Sequence, residues 1–364
     1  MEVATTKKKS KRIFYFDALR ALAIISVIIF HVANTCGDMI VSQYALSNFN
    51  WFMTDIGKTC FRCGVDIFLM LSGALSLGRN WEIKPFLKKR IPRIAAPFVF
   101  WGFVLCVLLV AISYLYPNFI LVIDSFDIVS FLNLLANAYI AKAYGFTPYW
   151  FFWMILGTYL IMPIINKWLF HSELKEAEYF LFFWLITCIF DYTIGAKFPI
   201  KLTYFSGPIG LVILGYYLRH TERKIFNNLW VSILLTIIGA ALLVSVSYIF
   251  STTHEFYVFE RYSIFMVIEV TGIFTLFKNL SNRNLNILPG NGIIRKSIFS
   301  IAQCSYGIYL VHRVVINLFF DAYYTILPYK ALYIILIIVG LVIPWFVLVL
   351  MNKIPYLNEV IGVK

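Results

Sequence analysis

Three polar side chains stand in one apolar stretch near the start of the sequence: Asp17 and Arg20 in Phe14-Tyr15-Phe16-Asp17-Ala18-Leu19-Arg20, and His31 directly after Phe30. A charged side chain at the centre of a membrane-spanning helix costs about 2.5–3.5 kcal/mol on insertion scales, so such residues point to function by default. Asp17 and Arg20 are three apart and can pair on one helical face. Arg20 and His31 are eleven apart, three turns of helix, which puts them on nearly one stripe with ~16 Å between them along the axis. A histidine, with an ordinary pKa near ~6.5, is a natural general base. A lone transmembrane histidine usually serves as a hydrogen-bonded packing residue; the stripe shared with Asp17 and Arg20 favours a chemical role here.

A second stretch reads Gly64-Val65-Asp66-Ile67-Phe68 and runs on to Ser72-Gly73. The carboxylate of Asp66 is of the type that orients an imidazole in hydrolase triads, and it could equally form a polar pair between helices. Ser72 and Gly73 read as small packing residues for close helix approach rather than as a nucleophile. A third stretch, Lys88-Lys89-Arg90-Ile91-Pro92-Arg93, places Arg90 and Arg93 at an expected helix start with Pro92 in the first turn. Arginine forks beside free helix N-terminal amides suit phosphate; anchoring at a positively charged membrane face explains Lys84, Lys88 and Lys89 just as well. Asp191, Glu269, His312 and Arg313 are further polar residues expected to be buried, each suited to structural pairing first and to lining a pathway second; Glu269 could pair with Arg261 or a lysine. Tyr149, Trp150, Trp153 and Tyr159 suit either an interfacial belt or a sugar-stacking surface.

The elements that must carry these groups are membrane helices. Of 364 residues 61% are hydrophobic, against about 45–50% in an ordinary soluble domain, and long apolar runs recur at the length a spanning helix needs, ~20 residues. The expected fold is all-α, a polytopic bundle of about ten transmembrane helices at roughly 13–35, 57–78, 94–116, 149–168, 178–196, 203–218, 228–250, 262–280, 298–320 and 330–352. The fifth and sixth are short and closely spaced, and 128–141 reads as an interfacial or re-entrant piece. The apolar runs lack the two-residue alternation of a membrane β-barrel.

Lysine and arginine sort by side. They concentrate before the first span (Lys7, Lys8, Lys9, Lys11, Arg12), in the even-numbered connections, and after the last span (Lys353, Lys364). By the positive-inside rule, both termini and the even connections are cytoplasmic. Residues 1–12 then form a basic cytoplasmic tail, 13–352 the transmembrane domain and 353–364 a cytoplasmic tail, in a multi-pass protein of the cell membrane. Arg90 and Arg93 fall at the inner face; His31, Asp66, His312 and Arg313 fall in the outer half.

This distribution accounts for the net charge of +13 without nucleic acid as a partner. The first apolar stretch is too long and too polar for a cleaved signal peptide. The six cysteines are scattered; Cys60 and Cys63 form a lone C-x-x-C, which lacks the roughly four ligands of a metal site, and no metal is expected. No internal repeat of the kind common in transporters is evident.

Together these segments resemble acyltransferase family 3, membrane enzymes that include surface-polysaccharide O-acyltransferases, in the branch without an appended extracytoplasmic domain. The resemblance rests on Arg20 with ten residues before His31, on Gly64-Val65-Asp66-Ile67-Phe68 with Ser72-Gly73, on Arg90-x-x-Arg93 with Ile94 and Pro97, and on Ser305-Tyr306-Gly307-Ile308-Tyr309-Leu310-Val311-His312, with a weaker match from Trp150 to Pro163. It implies transfer of an acyl group, acetyl by expectation, from cytoplasmic acyl-CoA to a hydroxyl of a cell-surface glycan or lipid-linked sugar. It further implies His31 as base, Asp17, Arg20 and Asp66 as assisting groups, Arg90 and Arg93 as ligands of the CoA phosphates, and no permanently bound cofactor. Membrane lipids are the remaining partners. The competing readings are an exporter of polysaccharide or small solute and a catalytically silent relative within a synthesis complex.

Overall fold

A computed structural model describes residues 13–43, 49–115, 127–140, 149–196, 198–251, 256–282 and 292–363. The basic stretch 1–12, Arg283, Lys364 and most of the expected outer connection 117–148 lie outside the described residues. Among the described residues the fold is helical throughout, without strands. The helices are α1 (Phe14–Gln43), α2 (Phe49–Thr59), α3 (Gly64–Ser76), α4 (Ile83–Leu115), α5 (Ile128–Tyr139) and α6 (Trp150–His171). They continue as α7 (Leu174–Ile189), α8 (Ile209–His220), α9 (Leu229–Phe250), α10 (Ile264–Asn282), α11 (Ile293–Tyr323) and α12 (Tyr329–Met351).

Burial sorts these helices into inner and outer ones. α1 buries side chains on every face, among them Leu19, Ile24, Ile28 and Ala33, and packs against α2, α3, α10, α11 and α12. α9 and α12 present Ile237, Ile249, Ile334 and Ile338 outward, as helices facing lipid tails do.

Among the described residues eight helical segments are long and apolar enough to cross a membrane, fewer than the ten expected. The sixth expected span is the twelve-residue α8, only ~18 Å long. It is buried all round, from Gly210 to Leu218, so it needs no lipid-facing length. The ninth is α11, long enough at 31 residues but diluted by Ser300, Gln303, Ser305, His312 and Arg313, the side chains of a lining helix. The second span is composite, running from Phe49 to Ser76 with a 3₁₀ turn at Cys60–Cys63 joining α2 to α3. The six cysteines are free thiols. The short apolar piece near 128–141 is α5, started by Asp127, whose side chain accepts from the Ser130 backbone N–H at 2.8 Å.

α3 and α8 meet backbone to backbone. A Cβ on Gly73 would lie 1.8 Å from the Val212 carbonyl oxygen, and one on Gly215 would lie 2.0 Å from that of Met70. Small residues permit this approach, as expected for Ser72-Gly73. α9 and α10 meet the same way, at Gly239 against the Glu269 backbone and at Gly272 against Thr236.

α4 overturns one expectation. It begins at Ile83, so Arg90 and Arg93 lie two to three turns inside the helix, and Pro92 and Pro97 are interior rather than initiating. Pro85 occupies the first turn instead. At 33 residues, ~50 Å, the helix exceeds a hydrocarbon core of ~30 Å, long enough for its basic first third to lie outside the apolar layer. No free helix N-terminal amides therefore stand beside the arginine pair.

After α12 the chain turns back. Ile361 is fully buried, its carbonyl accepts from Trp101 Nε1 at 3.1 Å, and its oxygen lies against Gly307 on α11. The stretch expected as a tail thus packs onto α4 and α11.

Candidate active site

Asp17, in the first turn of α1, accepts from Arg20 Nη1 at 3.0 Å, the pairing that the three-residue spacing allows. Arg20 is only partly covered, and it lines a narrow cavity of ≈ 90 Å³ together with Arg90, Arg93, Ser72, Tyr306 and Tyr309. α1, α3, α4, α6 and α11 each contribute to its wall. Arg90 Nη2 donates to Ser76 Oγ at 2.7 Å, and its guanidinium faces the rings of Phe86 and Tyr159 at 5.7 and 6.0 Å. Arg93 is exposed and also borders a second recess of ≈ 610 Å³, whose other wall is the returning segment 358–363. Tyr306 stands between the two and donates its hydroxyl to the Ile94 carbonyl at 2.8 Å.

His31 opens on a different cavity of ≈ 330 Å³, shared with Asn34, Arg62, Trp150, Arg261 and Arg313. Tyr309 lines this cavity as well as the narrow one, so the Arg90/Arg93 end and the His31 end meet at this residue. The imidazole of His31 lies 5.2 Å, ring centre to ring centre, from that of His312. His312 is fully buried, and its Nδ1 is within 3.1 and 2.8 Å of the Ile308 and Tyr309 carbonyls. Carbonyls only accept, so Nδ1 carries a proton. In the neutral ring Nε2 is then an acceptor, and it has no partner among the described residues.

The expected partnership of Asp66 with His31 does not form. Among the described residues neither buried carboxyl oxygen of Asp66 has a hydrogen-bond partner; its charged neighbours are Arg261 and Arg62. His31 instead has His312, Arg313 and Arg261 as its electrostatic neighbours. The reason is facial: α1 turns His31 toward α11, whereas Asp66 begins α3 near α10, where Glu269 also senses it. Among the described residues Glu269 has no ion-pair partner, and its Oε2 has no hydrogen-bond partner. Lys278 does not reach it, because its Nζ donates to the Leu218 carbonyl at 2.7 Å at the end of α8. Asp191 is exposed rather than buried, in a π-helical turn (Phe190–Ile194) that ends at Gly195 with φ 71°. The expected aromatic belt divides: Tyr149 and Tyr159 are core, whereas Trp150 and Trp153 are exposed.

Asn34, Arg62 and Tyr309 are cavity residues that the sequence did not single out. Arg62 stood inside an expected span and was open to the same argument as Arg20. Asn34 follows His31 by one helical turn, and Tyr309 was visible only as part of a motif.

Residues 13–349 match the Acyl_transf_3 family, described as an acyltransferase domain. The chain therefore belongs to this acyltransferase family and is a multi-pass membrane protein. No curated protein and no solved structure matches it.

Proposed function

We propose that the protein is an O-acyltransferase of the cell membrane that moves an acyl group, acetyl in the simplest case, from cytoplasmic acyl-CoA to a hydroxyl of an extracytoplasmic glycan or lipid-linked sugar. The observation that carries this reading is the pair of cavities meeting at Tyr309, one bearing Arg20, Arg90 and Arg93, the other His31. A through-membrane transfer needs a donor end, an acceptor end and a thin partition, and this arrangement supplies all three. The reading takes α8 and α11 as spans beside the eight apolar segments, giving ten and leaving both termini in the cytoplasm.

In this reading the CoA phosphates bind Arg90 and Arg93, whose guanidinium forks suit phosphate oxygens. The larger recess beside Arg93 takes the nucleotide end, and the narrow cavity takes the pantetheine arm. The ion pair with Asp17 holds Arg20 along that path. At the far end His31 accepts the proton of the acceptor hydroxyl as its oxygen attacks the thioester carbonyl. The oxyanion forms near Asn34, one turn beyond His31. Collapse breaks the carbon–sulfur bond, and the proton on His31 passes to the departing CoA thiolate, so the base is restored. His312 positions His31 from α11; Asp66, remote from the imidazole, has an electrostatic role through Arg62 and Arg261.

The test is His31→Ala in cells, with mass spectrometry of the surface glycan. Loss of acylation at unchanged membrane abundance is expected. Full acylation by the variant removes His31 from the mechanism.

A further inference from the structure

The cavity around His31 holds more positive charge than the described residues neutralise. Arg62 comes from the turn between α2 and α3, Arg261 from just before α10, and Arg313 from α11, and all three line it. Arg62 Nε, Arg261 Nη1 and Arg313 Nε are each buried without a hydrogen-bond partner among the described residues. Among the described residues the ion pairs within 4 Å are Arg20–Asp17 and Arg223–Glu178, so none of these three guanidiniums has a carboxylate in contact. Arg62 donates to the Phe259 carbonyl. Arg261 lies over the Trp150 ring, 4.3 Å from its centre. Asp66 and Glu260 act on Arg62 from a distance, and Asp66 acts likewise on Arg261, but neither carboxylate bonds to them. Burying a cation without a partner is costly, and one such cluster converging on a cavity is the signature of an anion site. Guanidinium forks match the planar carboxylate and the phosphate.

We infer that the acceptor is an anionic sugar, whose carboxylate or phosphate is held by Arg62, Arg261 and Arg313 while a hydroxyl of the same molecule faces His31. The inference builds on the acyltransferase reading and sharpens it by naming the acceptor class. A neutral sugar would leave the three arginines uncompensated. An acidic one would bind them and be oriented by them, with the rim of Trp150 beside the sugar ring.

The experiment uses the full chain in phosphatidylcholine nanodiscs at constant ionic strength, titrated with glucuronate, glucose 1-phosphate and glucose while intrinsic tryptophan fluorescence is followed. A saturable response to either anionic sugar and none to glucose is expected. Glucuronate alone identifies a sugar carboxylate as the group bound, and glucose 1-phosphate alone a phosphate. Arg261→Gln and Arg313→Gln should each weaken that response about tenfold, with Arg313→Lys intermediate because it keeps the charge and loses the fork. Acetyl-CoA affinity of the same variants should stay unchanged, which also reports that they are folded. The inference is overturned if glucose binds as well as both anions, if neither anion binds the wild-type protein, or if the variants lose acetyl-CoA instead, which would assign the arginines to the donor. None of these outcomes bears on His31→Ala, so acyl transfer stands or falls separately.

Discussion

Arg93→Ala is the sharpest probe of the donor end. Arg90 is less clean, because it also donates to Ser76 Oγ at 2.7 Å and ties α4 to α3. Arg93 is exposed at the border of the narrow cavity and the larger recess, so its removal alters binding more than folding. A hydrogen bond to a charged group contributes about 1.5–3 kcal/mol. Solvent screens an exposed arginine, so the lower value applies, and ~1.4 kcal/mol corresponds to a tenfold change in Kd. Acetyl-CoA titrated by calorimetry into the detergent-solubilised protein at ~0.1 M salt should therefore bind about tenfold more weakly to Arg93→Ala. The difference should shrink at ~1 M salt, where the screening length falls from ~10 Å to ~3 Å. The double variant with Arg90→Ala should bind more weakly still. An unchanged Kd in both variants would refute a phosphate role for this pair.

Further outcomes follow from the same geometry. His312→Ala should reduce kcat by up to about 10²-fold, the cost of misplacing a catalytic group by ~1 Å, and leave acetyl-CoA affinity intact; steady-state kinetics and calorimetry separate the two, and a kcat equal to wild type would remove the positioning role. Tyr309→Trp enlarges the wall shared by the two cavities and should slow transfer without weakening donor binding; equal loss of both in kinetics and titration would place Tyr309 in the donor site alone. Gly73→Ala drives a Cβ to 1.8 Å from the Val212 carbonyl oxygen and should cost about 1–3 kcal/mol by overpacking, read as a lower Tm in detergent; an unchanged Tm would mean that α3 and α8 part easily.

What was legible in the sequence follows from how local the cause is. The pairing of Asp17 with Arg20 and the common stripe with His31 depend only on helical periodicity, and the pair forms at 3.0 Å. The close approach at Gly73 was legible for a similar reason, because a small residue in an apolar helix leaves few other uses. The partner of His31 was not. Asp66 and His312 are both of the right chemical type, and only the rotation of α1 against α11 decides between them. The start of α4 was misread because Pro92 suits a first turn, yet Pro85 occupies one earlier and the helix is long enough for the basic segment to lie outside the apolar layer. The shortness of α8 was hidden because hydropathy does not distinguish a helix facing lipid from one enclosed by protein. The convergence of Arg62, Arg261 and Arg313 joins residues some 250 positions apart in the chain, which no local pattern encodes.

The most direct measurement is a cryo-EM structure of the protein with acetyl-CoA. The phosphates should lie against Arg90 and Arg93, the pantetheine arm should run past Arg20, and the thioester should reach Tyr309 with its carbonyl toward His31. Acetyl-CoA bound with its phosphates in the His31 cavity, or along neither cavity, would contradict transfer by this route.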